Sequence, residues 1–253
     1  MLKKRVIPVL LLRDGRMVKG VRFSEYRDTG NPKTAVRIYS AQDADELVFL
    51  DIQASLQTRQ ALVEIVRNAA SECFMPLAAG GGIYSVDDAR ELLLAGADKV
   101  VVTTAAVTNP ALLTQIAETF GSQALVAGID YRHEASGARV WIRCGTQRTE
   151  LDPVSHARAL VALGTGELLL NSIDRDGTMS GYDLETARAV ADAVDVPVIV
   201  CGGAGNFMHL ADLFNTTQAA AAACASVFHF GDNNPIRARS YLRNLSIPMR
   251  VLK

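Results

Sequence analysis

The chain is poor in most of the features that mark a specialised class. A single tryptophan and an aromatic share of 6% leave too few rings for a stacking platform on nucleic acid. Charge of neither sign accumulates: 26 basic against 27 acidic residues give a formal net charge of −1, so no field draws a polyanion or an anionic membrane surface. The four cysteines (Cys73, Cys144, Cys201 and Cys224) lie far apart with no C-x-x-C pair, and read as reduced thiols in a cytoplasmic protein. His133, His156, His209 and His229 lack metal-ligand spacing, so neither metal nor cofactor is expected. The longest apolar runs have strand length, and no charged, apolar and small-residue leader opens the chain; neither a signal peptide nor a membrane span is expected. The G-x-x-x-x-G-K-[ST] of triphosphate sites and the G-x-S-x-G of serine nucleophiles are both missing.

What is present is a repeat. MPLAAGGGIYS, around Gly80 to Gly82, and VPVIVCGGAGN, around Gly202, Gly203 and Gly205, each run from proline through a short apolar strand into glycines and a helical pattern. Pro76 and Pro197 lie 121 positions apart, and DELVFLDI answers GELLLNSI at the same offset. Apolar strand-like runs near 5–11, 46–51, 76–79, 99–103, 124–130, 166–171, 196–200 and 220–225 alternate with amphipathic helical stretches. Strands too apolar to face water predict a parallel sheet buried on both sides. The fold class expected is α/β, a single (βα)8 TIM barrel over residues 1–253, built from two (βα)4 half-barrel repeats. The doubly wound open sheet competes, but the first strand runs into Arg13-Asp14-Gly15 where that fold needs G-x-G-x-x-G. Asn31-Pro32, Asn109-Pro110 and Ser85 read as helix starts.

A strand that ends in glycines and hands over to a helix presents bare N–H groups, a geometry that cradles phosphate; the same pattern also serves an ordinary tight turn. Two such turns suggest a ligand with a phosphate at each end. Asp130 closes an apolar run at a strand end, where partial burial favours general-base work or a loop cap serves structure alone. Asp51 is placed similarly, while Asp174 and Asp176 lie in the Asp174-Arg175-Asp176-Gly177 segment, which could be a salt-bridged turn. Residues 14–30, carrying Lys19, form a long insertion suited to a mobile lid, and RHEASGARVWIRCG reads as a hairpin turning at Ser136-Gly137. Arg5, Glu46, Lys99 and Glu167 open four strands, so their alternating charges could form a ring across the barrel's N-terminal mouth, either as a stabilising plug or as a gate.

KRVIPVLLLRDGRMVKGVRF, ADELVFLDI, AGGGIYSVDDAR, AGADKVVVTTAAV, FGSQALVAGID, SIDRDGTMSGYDL, GGAG and ASVFHF, in this order over nearly the whole chain, resemble the cyclase subunit of imidazole glycerol phosphate synthase (HisF). The resemblance implies a barrel that binds a bis-phosphorylated small molecule, takes ammonia through its centre from a glutaminase subunit docked at the bottom, and forms imidazole glycerol phosphate with an aminoimidazole ribotide. It implies that Gly82 and Thr104 hold one phosphate and Gly203 and Ser226 the other, with Gly81 and Gly202 in the same turns. It further implies catalysis by Asp130, a lid lysine at Lys19, an ammonia gate of Arg5, Glu46, Lys99 and Glu167, and a glutaminase contact at Asp98. Leu11, however, stands where the family has its second catalytic aspartate, Val9 replaces the usual cysteine, and Thr103 and Asn171 replace the usual asparagine and threonine. Leu11 has no proton to give, so ring closure by the ordinary mechanism is expected to be crippled unless Asp51 or Asp176 takes over. That departure resembles paralogues associated with surface polysaccharides, whose glutaminase and barrel supply ammonia for amidation of a sugar. A ligand-binding barrel without an ammonia role is the third expectation.

Overall fold

The computed structural model describes residues 3–53, 56–229 and 232–250, with backbone alone for 56–59. Phe230, which ends the ASVFHF motif, lies outside the described residues. In chain order the strands are β1 (Arg5–Arg13), β2 (Arg16–Val21), β3 (Ser24–Gly30), β4 (Leu47–Asp51), β5 (Leu77–Gly80), β6 (Lys99–Val102), β7 (Leu125–Glu134), β8 (Gly137–Ile142), β9 (Gln147–Arg148), β10 (Glu167–Ser172), β11 (Val198–Cys201) and β12 (Ala221–Cys224). The helices are α1 (Pro32–Ala41), α2 (Leu56–Glu72), α3 (Val86–Leu94), α4 (Thr104–Thr108), α5 (Ala111–Phe120), α6 (Pro153–Ala162), α7 (Leu184–Ala191), α8 (Phe207–Thr216), α9 (Ser226–His229) and α10 (Pro235–Asn244).

Eight strands pair in parallel in the cycle β1-β4-β5-β6-β7-β10-β11-β12 and back to β1, which closes the barrel. The period of two along each strand divides the core. Ile7, Val9, Val48, Ala78, Val101, Val126, Leu169, Ile199, Ala221 and Ala223 fill the barrel interior. Their neighbours in the chain, such as Leu10, Phe49, Val100 and Leu168, face the helices in a second, larger core. Both faces of every barrel strand are therefore dry, which is why these strands read as unbroken apolar runs.

The two halves carry the same decorations. The first strand of each, β1 and β7, runs on past the barrel into an antiparallel hairpin, β2–β3 and β8. The last strand of each, β6 and β12, ends in a short extra helix, α4 and α9.

Local chemistry fixes the joints. Asn31 caps α1 by accepting from Lys33 N ahead of Pro32, and Ser85 with Asp88 forms a reciprocal capping box on α3. Three readings of the sequence are corrected. Asn109 is the last residue of the α4 turn, not a cap for α5: it donates its own N–H to Ala105, and α5 begins at Ala111 after Pro110. The turn between β7 and β8 is Ala135-Ser136, because Gly137, at φ 105°, already pairs with Glu134. Residues 16–30 are not an irregular loop but two hydrogen-bonded strands continuing the sheet from β1.

Candidate active site

At the C-terminal end of the barrel lies a cavity of about 410 Å³, the face on which barrels of this kind build their sites. Its floor comes from strand ends: Val9 and Leu11 of β1, Leu50 and Asp51 of β4, Asp130 of β7 and Asn171 of β10. Its walls come from Gly81, Gly82 and Thr104, from Arg143 and Cys144 after β8, and from Lys19, Phe23 and Tyr26 of the first hairpin. Asp176 closes the remaining side.

Asp130 is the residue of β7 at which barrel and hairpin meet, paired with Asn171 on one side and Trp141 on the other. Asn171 Nδ2 donates to Asp130 Oδ1 at 3.2 Å. Asp130 is half-buried, and desolvation of its carboxyl pushes it up to about 7; the hydrogen bond from Asn171 opposes this shift and the charge of Asp176 adds to it. A carboxyl raised toward neutrality is suited to pass a proton in either direction. Asp51 is buried: its Oδ1 accepts from Gln53 N at 2.9 Å, and its Oδ2 has no protein partner.

Lys19 is also buried, with Nζ donating to Asp176 Oδ1 at 2.7 Å and to the Gly20 carbonyl at 2.7 Å. The Asp174–Gly177 segment is therefore bridged to the hairpin and not within itself, since Arg175 reaches Ser180 Oγ instead. Cys144 donates from Sγ to the Ile52 carbonyl at 3.1 Å, and burial followed by the charges of Asp130 and Asp51 pushes its thiol up to about 11. A thiol held that high is no nucleophile at neutral pH.

The glycine turns recur with the repeat. Gly81 and Gly82 have φ of 115° and 65°, and Gly202 and Gly203 have φ of 93° and 107°. Side chains are excluded by space as well: a Cβ on Gly81 would lie 2.3 Å from the Asp51 carbonyl, and one on Gly203 would lie 2.1 Å from that of Gly181. The first turn opens on the cavity beside Thr104. Gly202, Gly203 and Ser226 are not among the residues that line it; they sit at the ends of β11 and β12, beside the lining residues Cys201 and Ala225.

At the other end of the barrel the four charged strand-opening residues form one closed circuit. Arg5 donates to Glu46 at 2.6 Å and to Glu167, and Lys99 donates to Glu46 at 3.0 Å and to Glu167 at 2.7 Å. Burial pushes the Glu46 carboxyl up against the pull of Lys99 and Arg5. Asp98, on the same end, is exposed and accepts from Leu77 N at 2.8 Å.

These features lie on a chain with close relatives. The model of the histidine biosynthesis protein family matches residues 5–234. The chain belongs to that family. It is 46% identical over 251 residues to the imidazole glycerol phosphate synthase subunit HisF of Alkaliphilus metalliredigens (strain QYMF), a match that covers 99% of this chain and all of that relative. Among the lining residues that the sequence pattern did not single out is Arg143. It sits in a stretch legible only as a hairpin, and only the fold carries that stretch over the Thr104 wall. No group of three potential metal ligands occurs among the described residues, and none of the described helices is long and apolar enough to cross a membrane.

Proposed function

We propose that the chain is the HisF-type cyclase subunit of a glutamine amidotransferase pair, a lyase that uses ammonia on a bis-phosphorylated aminoimidazole ribotide. The observation that carries the reading is Asp130, a carboxyl pushed up to about 7 at the floor of a cavity flanked by a bare glycine turn. In this reading Gly81, Gly82 and Thr104 take one phosphate, Gly202, Gly203 and Ser226 take the other, and Asp130 moves the proton during ring closure. Lys19 and Asp176 tie the first hairpin across the cavity.

Ammonia enters at the opposite end, past Arg5, Glu46, Lys99 and Glu167, from a HisH-like glutaminase that contacts the Asp98 face. The apolar barrel interior above that ring, with small Ala78, Ala221 and Ala223, suits a neutral molecule and rejects ammonium. The setting is cytoplasmic, and neither nucleic acid nor membrane takes part.

Leu11 favours a second reading. It lines the cavity with Val9 and has no proton to exchange. A barrel with an ammonia route and phosphate grip but half the acid–base pair suits a conduit, binding the glutaminase and passing ammonia on for amidation of a sugar in surface-polysaccharide synthesis. One experiment separates the two. Purified chain, ammonium salt and the bis-phosphorylated ribotide are combined across the pH range, and imidazole glycerol phosphate is measured. Turnover supports the cyclase; no product above buffer, together with stimulation of a bound glutaminase, supports the conduit.

A further inference from the structure

The cavity has a charge problem that its catalytic residues do not solve. Three carboxylates, Asp51, Asp130 and Asp176, line it against two cations, Lys19 and Arg143. Lys19 is spent on Asp176. Arg143 is exposed, and among the described residues its guanidinium has no ion-pair or hydrogen-bond partner. A dianionic group entering beside Gly81 and Gly82 meets this excess of carboxylates, and of the two lining cations only the Arg143 guanidinium is uncommitted and able to receive it.

The backbone points the same way. Arg143, Cys144 and Gly145 are three consecutive residues at φ of 53°, 54° and 71°, a conformation that costs free energy wherever a Cβ is present. Arg143 N donates to Thr104 Oγ1 at 3.1 Å, and the Arg143 carbonyl accepts from Thr146 N at 3.2 Å and from Thr146 Oγ1 at 2.6 Å. Both main-chain groups are thereby fixed, the Thr104 hydroxyl keeps its own proton to donate, and only the side chain remains uncommitted.

We propose that Arg143 is a binding residue for an anionic substituent of the substrate. Its guanidinium closes over a phosphate held by the Gly81–Gly82 turn and the Thr104 hydroxyl, as a bidentate donor that offsets the carboxylates below. This rests on the bis-phosphate reading above and adds to it the cation that reading lacked. The left-handed loop is the cost of aiming that side chain at the cavity.

Calorimetric titration of the full chain with the bis-phosphorylated ribotide tests this. Arg143→Gln is expected to weaken binding about ten- to a hundredfold, and Arg143→Lys to recover part of it. Arg143→Gly is expected to weaken binding equally while raising Tm by about 2 to 4 °C, because glycine relieves the left-handed position; a merely structural arginine gives no such opposition. If Arg143→Gln and Arg143→Gly bind as the native chain does while Thr104→Val binds more weakly, the arginine assignment is overturned and the bis-phosphate reading stands. If the native chain itself does not bind the ribotide, that reading falls and the assignment with it.

Discussion

Lys19 and Asp176, 157 positions apart, meet through a 2.7 Å hydrogen bond in which both side chains are almost wholly withdrawn from solvent. Their pairing fastens the first hairpin to the loop after β10, and Arg22 N adds a 2.8 Å bond to the Asp176 carbonyl. Withdrawing one partner leaves the other charge buried alone. Asp176→Ala is therefore expected to cost about 3 to 5 kcal/mol, and Lys19→Met with Asp176→Leu considerably less than the single change. Urea unfolding measures both. An equal loss from the single and double variants contradicts the pairing. Proteolysis of the hairpin should rise in parallel, since its attachment across the cavity runs through this contact.

Asp130 makes stability depend on pH with an unusual sign. Its ordinary carboxylate value of 3.8 applies to the unfolded chain, while the folded value is about 7. Between these values the folded state binds more protons, so this group's contribution falls as pH rises through the window and is fully lost above about 7. Asp130→Asn should thus stabilise the protein at pH 8, by on the order of 2 to 4 kcal/mol, and flatten that slope. Thermal unfolding at pH 5 and pH 8 checks the difference. Turnover at a fixed concentration of free ammonia, if Asp130 is the base, should rise with pH to a midpoint near 7 and vanish in the same variant.

The barrel was legible in the chain because parallel strands dry on both faces leave apolar runs such as VVV at 100–102 and LLL at 168–170, and because each has an apolar counterpart 121 positions away, AAA at 221–223 and LVF at 47–49. The glycine turns were legible because only glycine takes a φ near 107° beneath the Gly181 carbonyl. The first hairpin was not. Its strands alternate poorly, with SEYRDTG exposed or half-buried throughout; β2 pairs on the edge that β1 extends, and β3 in turn on β2. Pairings across distance were hidden for the same reason: nothing local in the sequence tells Asp176 to choose Lys19 over the adjacent Arg175. Arg143 was missed because its position over Thr104 is set by a turn of three positive-φ residues, only the last of which is glycine.

The ring at the N-terminal mouth should respond to pH when it is broken. Glu46 is buried, and its carboxyl is already raised by that burial in spite of two cations. Removing Arg5 leaves Lys99 alone to balance Glu46 and Glu167, so the Glu46 carboxyl rises further. A carboxyl raised in the folded state destabilises progressively as pH climbs above its unfolded value. Arg5→Ala is accordingly expected to cost more at pH 8 than at pH 5, by about 2 to 4 kcal/mol. Urea midpoints at the two pH values decide it; a loss that does not change with pH indicates lost packing of the arginine stem instead.

Leu11 offers the sharpest division between the two functional readings. It is half-buried, pairs with Leu50 of β4, and lines the cavity whose floor also holds Asp130. An aspartate there can reach the cavity solvent, so Leu11→Asp should fold at a stability cost of about 1 to 3 kcal/mol. A cyclase that lacks only its second acid–base group should gain roughly 10²- to 10⁴-fold in ammonium-driven ring closure from this change. Leu11→Asn supplies equal polarity without a titrating proton and should gain nothing, which separates proton transfer from altered hydration. A Leu11→Asp variant that binds the bis-phosphorylated ribotide as tightly as the native chain and still forms no product removes the missing carboxylate as the cause of silence. The conduit then becomes the stronger account of why an apolar side chain occupies the floor.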